Sequence, residues 1–477
     1  MSLNEESKTK IVCTMGPSSQ DPETLRRMAL AGMDVVRINT GHLDVEELIK
    51  YIDMVVGVSE KMGRRIGIML DLQGPRLRVG SIQGSSVELS TGRDFTITTE
   101  QKRGDDTRVS VSYAALPSIL RPGDPVLIDD GLIRLKVKSI DGNEVLCEVV
   151  EGGALLQGKG MNFPGVALGL PSFTDRDRKF LEASLKHGGI DWVALSFVSD
   201  GSDVTSLRKV IEQLGYRVSI MAKIEKREAV HNIDSIMKAA DGVMVARGDL
   251  GVEMPTEDVP LIQKKLIRKA LHAAKPVVTA TQMLESMITN PRPTRAEASD
   301  VANSILDGTD AVMLSAETAI GSYPVQTVET MAKISNRTEQ ALDYGMLLRE
   351  SARWAHPSAA DAIGFAACEI ASNMKAKAIV TITRSGYTAR LIARYRPHQP
   401  IIAVSSDPET IDKILLVWGV RTLVAHVSED LKETIESVVG ECKKAGFVRS
   451  GDLLVMTGGF LADQVGTTNL IKVKTVE

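Results

Sequence analysis

Eight short apolar runs, separated by amphipathic stretches, constrain the fold of this 477-residue chain more than any other feature. They are KIVCTM (10–15), DVVRIN (34–39), IGIMLD (66–71), WVALSFV (192–198), SIMAKIE (219–225), GVMVARGD (242–249), PVVTAT (276–281) and AVMLSAE (311–317). Each is short and rich in Val and Ile, so each reads as a strand. The stretches between them carry helical punctuation. PETLRRMALAG precedes the second strand, with Pro22 near a helix start and Gly32 after its end, the positions where a fixed φ and a missing side chain suit a helix. VEELIKYIDMVVGVSEKMG, SDVTSLRKVIEQLG and PLIQKKLIRKALHAA precede the third, fifth and seventh strands. Such alternation implies a parallel sheet, and eight strands close into a (β/α)8 TIM barrel that leaves no open edge.

One interval breaks the rhythm. About 120 residues separate the third strand from the fourth, far more than a loop requires. Residues 75–170 alternate or run β-branched between Gly and Asp turns, as in VELSTGRDFTITTE, TRVSVSY and DPVLIDDGLIRLKVKSIDGNEVLCEVV, the pattern of an all-β insertion. After about residue 340, DAIGFAACEIASNM reads as a helix, and AIVTIT, PIIAVSS, RTLVAHV, DLLVMTG and NLIKVKTV read as strands of a separate open α/β domain. The expected division is residues 1–74 and 171–340 for the barrel, 75–170 for the insertion and 341–477 for the last domain.

Composition excludes several classes. A net charge of −4 argues against nucleic-acid binding through a broad basic surface. Cys13, Cys147, Cys368 and Cys442 form no CxxC pair, which argues against a zinc site, a redox dithiol or a disulfide framework. The polar start MSLNEESKTK is unlike a signal peptide. No apolar run approaches the ~18 residues that span a membrane. The expectation is a soluble, cytoplasmic protein with no membrane partner.

Barrels of this kind carry their chemistry at the carboxyl ends of the strands. There the sequence places Arg37 and Asn39, Asp71, Ser196, Lys223 and Glu225, Arg247 and Asp249, Thr281, and Ser315 with Glu317. Polar strand ends that merely meet water account for one or two of these. They do not account for a lysine and a glutamate closing SIMAKIE or an arginine and an aspartate closing VMVARGD, because buried charges are costly unless paired or metal-bound. Glu225 and Asp249 supply hard oxygen ligands suited to Mg²⁺ or Mn²⁺, or alternatively form salt bridges to Lys223 and Arg247. Arg37 and Lys223 suit an anionic substrate. The Arg247-Gly248 turn offers backbone N–H groups to a carboxylate. Together this is equipment for a phosphorylated carboxylic acid.

Read together, TKIVCTMGPSS, RIN, AKIE, MVARGDLGVEMP, PGDPVLIDDGLIRLKV and ATQMLESMITNPRPTRAEASDVANSILDGTDAVMLSAETAIGSYP closely resemble the pyruvate kinase family, densely from about residue 8 to 330 and more loosely beyond. The resemblance implies phosphoryl transfer from phosphoenolpyruvate to ADP, giving pyruvate and ATP, with the β insertion as a lid. It implies that Glu225 and Asp249 bind the divalent metal and that Lys223 neutralises the phosphoryl group in flight and the enolate. It further implies that Arg37 contacts the phosphoryl group, and that Ala246, Arg247, Gly248 and Thr281 hold the substrate carboxylate. Thr281, with Ser315 and Glu317 behind it, belongs to the network that protonates the enolate. Asn39, His42 and Arg78 fall on the nucleotide side, and a homotetramer is the family's usual assembly. Two rivals are a metal-dependent carbon–carbon lyase, which needs no β lid or nucleotide site, and a non-catalytic metabolite sensor, which would not need the matched chemical residues intact.

The stretch LDLQGPRLRVG (70–80) departs from the family pattern. Members that require K⁺ have Thr and Lys after the aspartate, a Glu after Gly-Pro and a Ser before the second-strand His. Here those positions are Leu72, Gln73, Arg76 and Gly41. The monovalent-cation region therefore comprises Asn39, Asp71, Leu72 and Arg76. The expectation is that the Arg76 guanidinium replaces K⁺, by pairing with Asp71 or through its field, so that K⁺ is not required. The alternative is a solvated Arg76 on the lid hinge. Ser199 and Asp200 replace a common basic pair, which weakens the transfer of nucleotide contacts. In the last domain, Thr383, Arg384, Ser385, Gly386, Tyr387 and Thr388 place hydroxyls and N–H groups at a helix start. That loop is an effector phosphate site or an ordinary capped turn. The late loop TGGFLADQVGTT lacks the Gly-Ser-Gly pattern of sugar bisphosphate responders.

Overall fold

The computed structural model describes residues 7–353, 358–428, 430–459 and 467–477. Eight parallel strands close into a barrel: β1 (Lys10–Thr14), β2 (Val35–Asn39), β3 (Gly67–Leu72), β4 (Trp192–Leu195), β5 (Ser219–Ile224), β6 (Gly242–Ala246), β7 (Val277–Ala280) and β8 (Ala311–Leu314). They follow one another round the barrel in chain order, β8 closing on β1. All eight runs anticipated from sequence are present. Six end before their runs do, three of them by three residues: β4 at Leu195, β6 at Ala246 and β8 at Leu314. Asp249 therefore stands in the first turn of a short helix, Arg247–Glu253, and not on a strand.

Local chemistry fixes the helices between. Val45–Met62 starts on a capping box, Asp44 accepting the Glu47 N–H while Glu47 accepts that of Asp44, and it stops at Gly63 with φ +58°, a conformation that favours glycine. The helices and the outward faces of the strands share one core, which includes Leu25, Leu48, Leu70, Leu72, Leu181 and Leu266. The inward faces form a second core of Val12, Val35, Met69, Trp192, Ala194, Met221, Met244 and Met313, entered from below by Leu415 and Leu416 of the C-terminal region.

Between β3 and β4 lies the all-β insertion, a seven-stranded and a two-stranded sheet around a separate core that includes Phe95, Ile97, Val126, Leu135 and Val145. Most of its pairs are antiparallel, one (Asp94–Thr98 with Arg108–Ser110) is parallel. The C-terminal region forms an open five-stranded sheet from β9 (Ala378–Ile382), β10 (Ile401–Ser405), β11 (Val420–Val424), β12 (Leu453–Gly458) and β13 (Leu470–Thr475), ordered β11-β10-β9-β12-β13 with β13 antiparallel. The predicted helix over DAIGFAACEIASNM is Ala359–Asn373. Most of the TGGFLADQVGTT loop, residues 460–466, lies outside the described residues. No described helix is long and apolar enough to cross a membrane.

Candidate active site

Strand alternation builds the site. Successive side chains of a strand point to opposite faces. Val35, Met69, Ala194 and Met221 face the barrel interior, so Arg37, Asp71, Ser196 and Lys223, two residues further on, face the same interior at its upper rim. The same parity sends Leu72 outward, into the core beneath the helices. Its side chain therefore takes no part in the monovalent-cation region to which sequence assigned it.

The four inward groups form one continuous network with Glu225. Arg37 donates from Nε to Asp71 Oδ2 at 2.6 Å and from an Nη to the Thr14 hydroxyl at 2.9 Å. Lys223 Nζ donates to Ser196 Oγ at 2.7 Å and lies 3.4 Å from Asp71 and 2.8 Å from Glu225 Oε1. Glu225 Oε2 accepts the Phe197 N–H at 2.7 Å. Asp71 and Glu225 are each 1 % exposed and Lys223 7 %. Burial opposes the charge on Asp71, but Lys223 and Arg37 outweigh it and hold the carboxyl below its usual range. Burial also opposes the charge on Lys223, and Asp71 and Glu225 outweigh it, so the ammonium persists above its usual range.

Of the two routes expected for Arg76, the direct pair with Asp71 is not the one it takes. Asp71 is already held by Arg37 and Lys223, and the Arg76 guanidinium points instead to Asp249 Oδ1, at 3.4 Å, with the Phe197 ring 5.9 Å from its centre. No direct Arg76–Asp71 pair is present among the described residues. The alternative salt bridge of Arg247 to the carboxylate pair is also absent among the described residues. Arg247 binds Asp300 at 2.6 Å and the Thr281 and Gln282 carbonyls, which turns its side chain away and leaves its backbone at the site.

On the opposite rim, Thr281 adopts φ +70°, unfavourable for a β-branched residue. Its hydroxyl accepts the Gly248 N–H at 2.7 Å and donates to the Ala280 carbonyl. Glu317, 2 % exposed, accepts the N–H groups of Leu284 and Ser315, and burial raises its carboxyl. The Ser315 hydroxyl is buried without a hydrogen-bond partner among the described residues. Asn39 accepts the Gly41 N–H within the turn Thr40–His42, where His42 is exposed. Arg78 donates to the Gly158 carbonyl, and burial together with the charges of Arg76 and Arg176 lowers its affinity for its proton. These three guanidiniums make a positive rim where an anion would be welcome.

A divalent cation fits this donor set. Glu225 Oε1 is buried and has no directed hydrogen bond despite its contact with Lys223. Burial and the Glu225 charge push the Asp249 carboxyl up to about 6, a sign that this carboxylate pair has less counter-charge than it needs. Among the described residues no group of three or more metal-ligating side chains occurs; Glu225 and Asp249 would hold the ion and leave positions open to other ligands.

In the C-terminal region Thr383, Arg384, Ser385, Gly386, Tyr387 and Thr388 form the turn between β9 and the helix Tyr387–Ala393. Some of its polar groups are used. Thr388 bonds Thr468, the Arg384 carbonyl accepts from Thr410, and the Ser385 carbonyl accepts from Arg390. The Arg384 side chain is exposed. Sequence reasoning missed Thr14, which steadies Arg37, and Phe197, whose N–H orients Glu225 from a φ of +56°. A backbone donor leaves no residue-type signal.

Known proteins agree with this geometry. The family description "Pyruvate kinase, barrel domain" matches residues 6–328, and "Pyruvate kinase, alpha/beta domain" matches 361–474. Pyruvate kinases of Sporosarcina psychrophila and Clostridium acetobutylicum are 45 % and 43 % identical over 98 % of this chain, covering 80 % and 100 % of their own lengths. The crystal structure of a pyruvate kinase from Cryptosporidium parvum superposes with a TM-score of 0.93 at 37 % identity, over 100 % of this chain and 97 % of that one. The chain belongs to the pyruvate kinase family and is a phosphotransferase.

Proposed function

We propose that this chain transfers the phosphoryl group of phosphoenolpyruvate to ADP, giving ATP and, after protonation of the enolate, pyruvate. The single observation that carries the reading is Lys223, buried between Glu225 and Asp71 with Arg37 beyond. A loose phosphoryl-transfer transition state asks for positioning and charge neutralisation, not a protein nucleophile, and this cluster offers both. Glu225 and Asp249 hold Mg²⁺ (or Mn²⁺), which when bound neutralises phosphoryl and enolate oxygens. Lys223 faces the migrating phosphoryl group, and Arg37, braced by Asp71 and Thr14, contacts it. The backbone of Ala246, Arg247 and Gly248 and the Thr281 hydroxyl hold the substrate carboxylate. For that the Gly248 N–H turns from Thr281 to the ligand. Thr281, with Ser315 and Glu317 behind it, belongs to the hydroxyl and water network that delivers the proton to the enolate carbon. Asn39, His42 and Arg78 meet the nucleotide. ADP-dependent pyruvate formation with Mg²⁺ tests the reading; its absence from pure protein would overturn it.

The insertion, residues 75–170, serves as a lid between barrel segments 1–74 and 171–340, and excludes water that would otherwise take the phosphoryl group. Residues 341–477 are the regulatory domain, with a phosphorylated effector at Thr383–Thr388. The working form is a cytoplasmic homotetramer. K⁺ is not required. Arg76 beside Asp249, with Gly41 withdrawing one side-chain oxygen, supplies fixed positive charge through its field. Rates in K⁺ and in tetramethylammonium at matched ionic strength should agree. Strong K⁺ activation would refute this.

A further inference from the structure

The insertion is joined to the barrel by two stretches of chain, outgoing at Gln73–Arg76 and returning at Ser172–Thr174. They touch. Gly74 has φ +68°, and a Cβ placed on it would lie 3.3 Å from the Ser172 carbonyl oxygen. Two consecutive residues in the first turn of the helix Asp175–His187 hold this crossing. Asp177, 1 % exposed, accepts the Gly74 N–H at 3.4 Å with one oxygen. With the other it accepts the Thr174 N–H at 3.0 Å and hydroxyl at 2.6 Å. One carboxylate thus binds both connections. Arg176 donates to Gln73 Oε1 at 2.8 Å and to the carbonyl oxygens of Thr40 at 3.0 Å and of Gly41 and Leu43 at 3.4 Å. These acceptors are neutral and come from two separate segments, reached from a third. A planar fork of five donors can span them, whereas an ammonium on a flexible stem cannot hold them in one geometry.

We propose that Arg176 and Asp177 form a clasp that sets the angle of the insertion over the barrel mouth, and that Arg176 ties this angle to the Thr40–Leu43 turn. Both are positioning residues. Gln73 adjoins the Gly74 hinge, so a change of angle there loads its bond to Arg176, and through Arg176 the turn beside Asn39 and His42 is coupled to the insertion. The kinetic part of this inference rests on the lid reading above; the mechanical part does not.

Paired labels read the angle directly, one at Leu132→Cys, 73 % exposed on the insertion, the other at Glu212→Cys, exposed on a barrel helix. The four native cysteines are buried and stay unlabelled. Arg176→Met, at an exposed position that tolerates change, should broaden the inter-label distance distribution. It should also lower kcat about 10-fold and raise KM for ADP, because small misplacement of reactants is costly, while KM for phosphoenolpyruvate stays unchanged. Arg176→Lys should behave like Arg176→Met, since charge without the fork does not restore the clasp. Gln73→Leu should broaden the distribution in the same sense and add little in the double variant. An unchanged distribution in Arg176→Met overturns the clasp, including when KM for ADP rises, since Arg176 would then be a direct phosphate contact. Broadening in a protein that makes no pyruvate would keep the clasp and remove the lid reading.

Discussion

The two ends of the barrel bury charge in opposite ways. At the floor, four aspartates stand immediately before the even-numbered strands: Asp34, Asp191, Asp241 and Asp310. Each accepts a backbone N–H from the strand before it, namely those of Ile11, Ile68, Ile220 and Val277, at 2.7 to 3.0 Å. Each also meets a cation. Asp34 pairs with Lys10 and Arg64, Asp191 with Arg65, Asp241 with Arg208 and Asp310 with Arg396. Some of these partners reach across to the C-terminal region, where Trp418 gives its N–H to Asp310 and Asp412 shares Arg65. At the mouth, charges meet mainly other side chains, Glu225 Oε1 has no directed bond and the Ser315 hydroxyl has none. Carboxylates tied to both a strand N–H and a cation stabilise a register, although the Arg396 Nε beside Asp310 is itself buried without a partner among the described residues; a carboxylate oxygen left without a directed partner, as in Glu225, suits a ligand.

The sharpest way to break this contrast is to remove one charge from each end. Lys223→Met should lower kcat by about 10³-fold, the scale expected for a group that neutralises charge only in the transition state, with cooperative unfolding retained. Steady-state rates and a thermal melt check both halves. Asp310→Ala should do the reverse. It leaves Arg396 and the N–H groups of Val277 and Trp418 without their acceptor, which costs about 3 kcal/mol, read as a lowered Tm, while folded enzyme keeps its turnover. A Lys223→Met protein of near-normal rate, or an Asp310→Ala protein that melts normally but is inactive, would abolish the distinction.

The same contrast explains what the sequence disclosed. The barrel was legible because eight Val- and Ile-rich runs fell between capped helices, and the mouth because alternation projects Arg37, Asp71 and Lys223 inward together. Leu72 was named for its position in a motif, and alternation turns its side chain outward. Arg76 was aimed at Asp71 because charge complementarity has no direction in sequence, and the Arg37 and Lys223 pairs had already filled that carboxylate. The strand end at Leu195 was hidden because Phe197 and Val198 carry the apolar run into the turn, and that at Ala246 because Arg247 and Asp249 read as a polar strand tip. The fourfold aspartate pattern was present in Met33-Asp34-Val35, Ile190-Asp191-Trp192, Ala240-Asp241-Gly242 and Thr309-Asp310-Ala311, but its spacing is irregular and its partners are backbone atoms. The Arg176–Asp177 clasp joins segments too distant in the chain for any local signal.

Among the floor aspartates, Asp191 differs from Asp34, and the difference gives the smallest predicted effect. Around Asp34, burial is outweighed by Lys10 and Arg64, and the carboxyl is held below its usual range. Its contribution to stability is therefore present above the usual carboxylate pKa and is lost only as pH falls below it. Asp191 shares Arg65 with Asp412, so burial dominates, Arg65 opposes it only in part, the Asp412 charge adds to it, and the carboxyl is pushed up to about 7. In that state the folded chain binds a proton more tightly than the unfolded one. Stability from this group is full below the usual carboxylate range, declines as pH rises towards 7 and is level beyond. Asp412→Asn removes the like charge, returns Asp191 towards Asp34 in behaviour and should flatten that decline. Tm measured between about pH 5 and pH 8 for both proteins reads the slope. Equal slopes would mean that Arg65 already serves both carboxylates, and Asp191 would then not differ from Asp34 on account of Asp412.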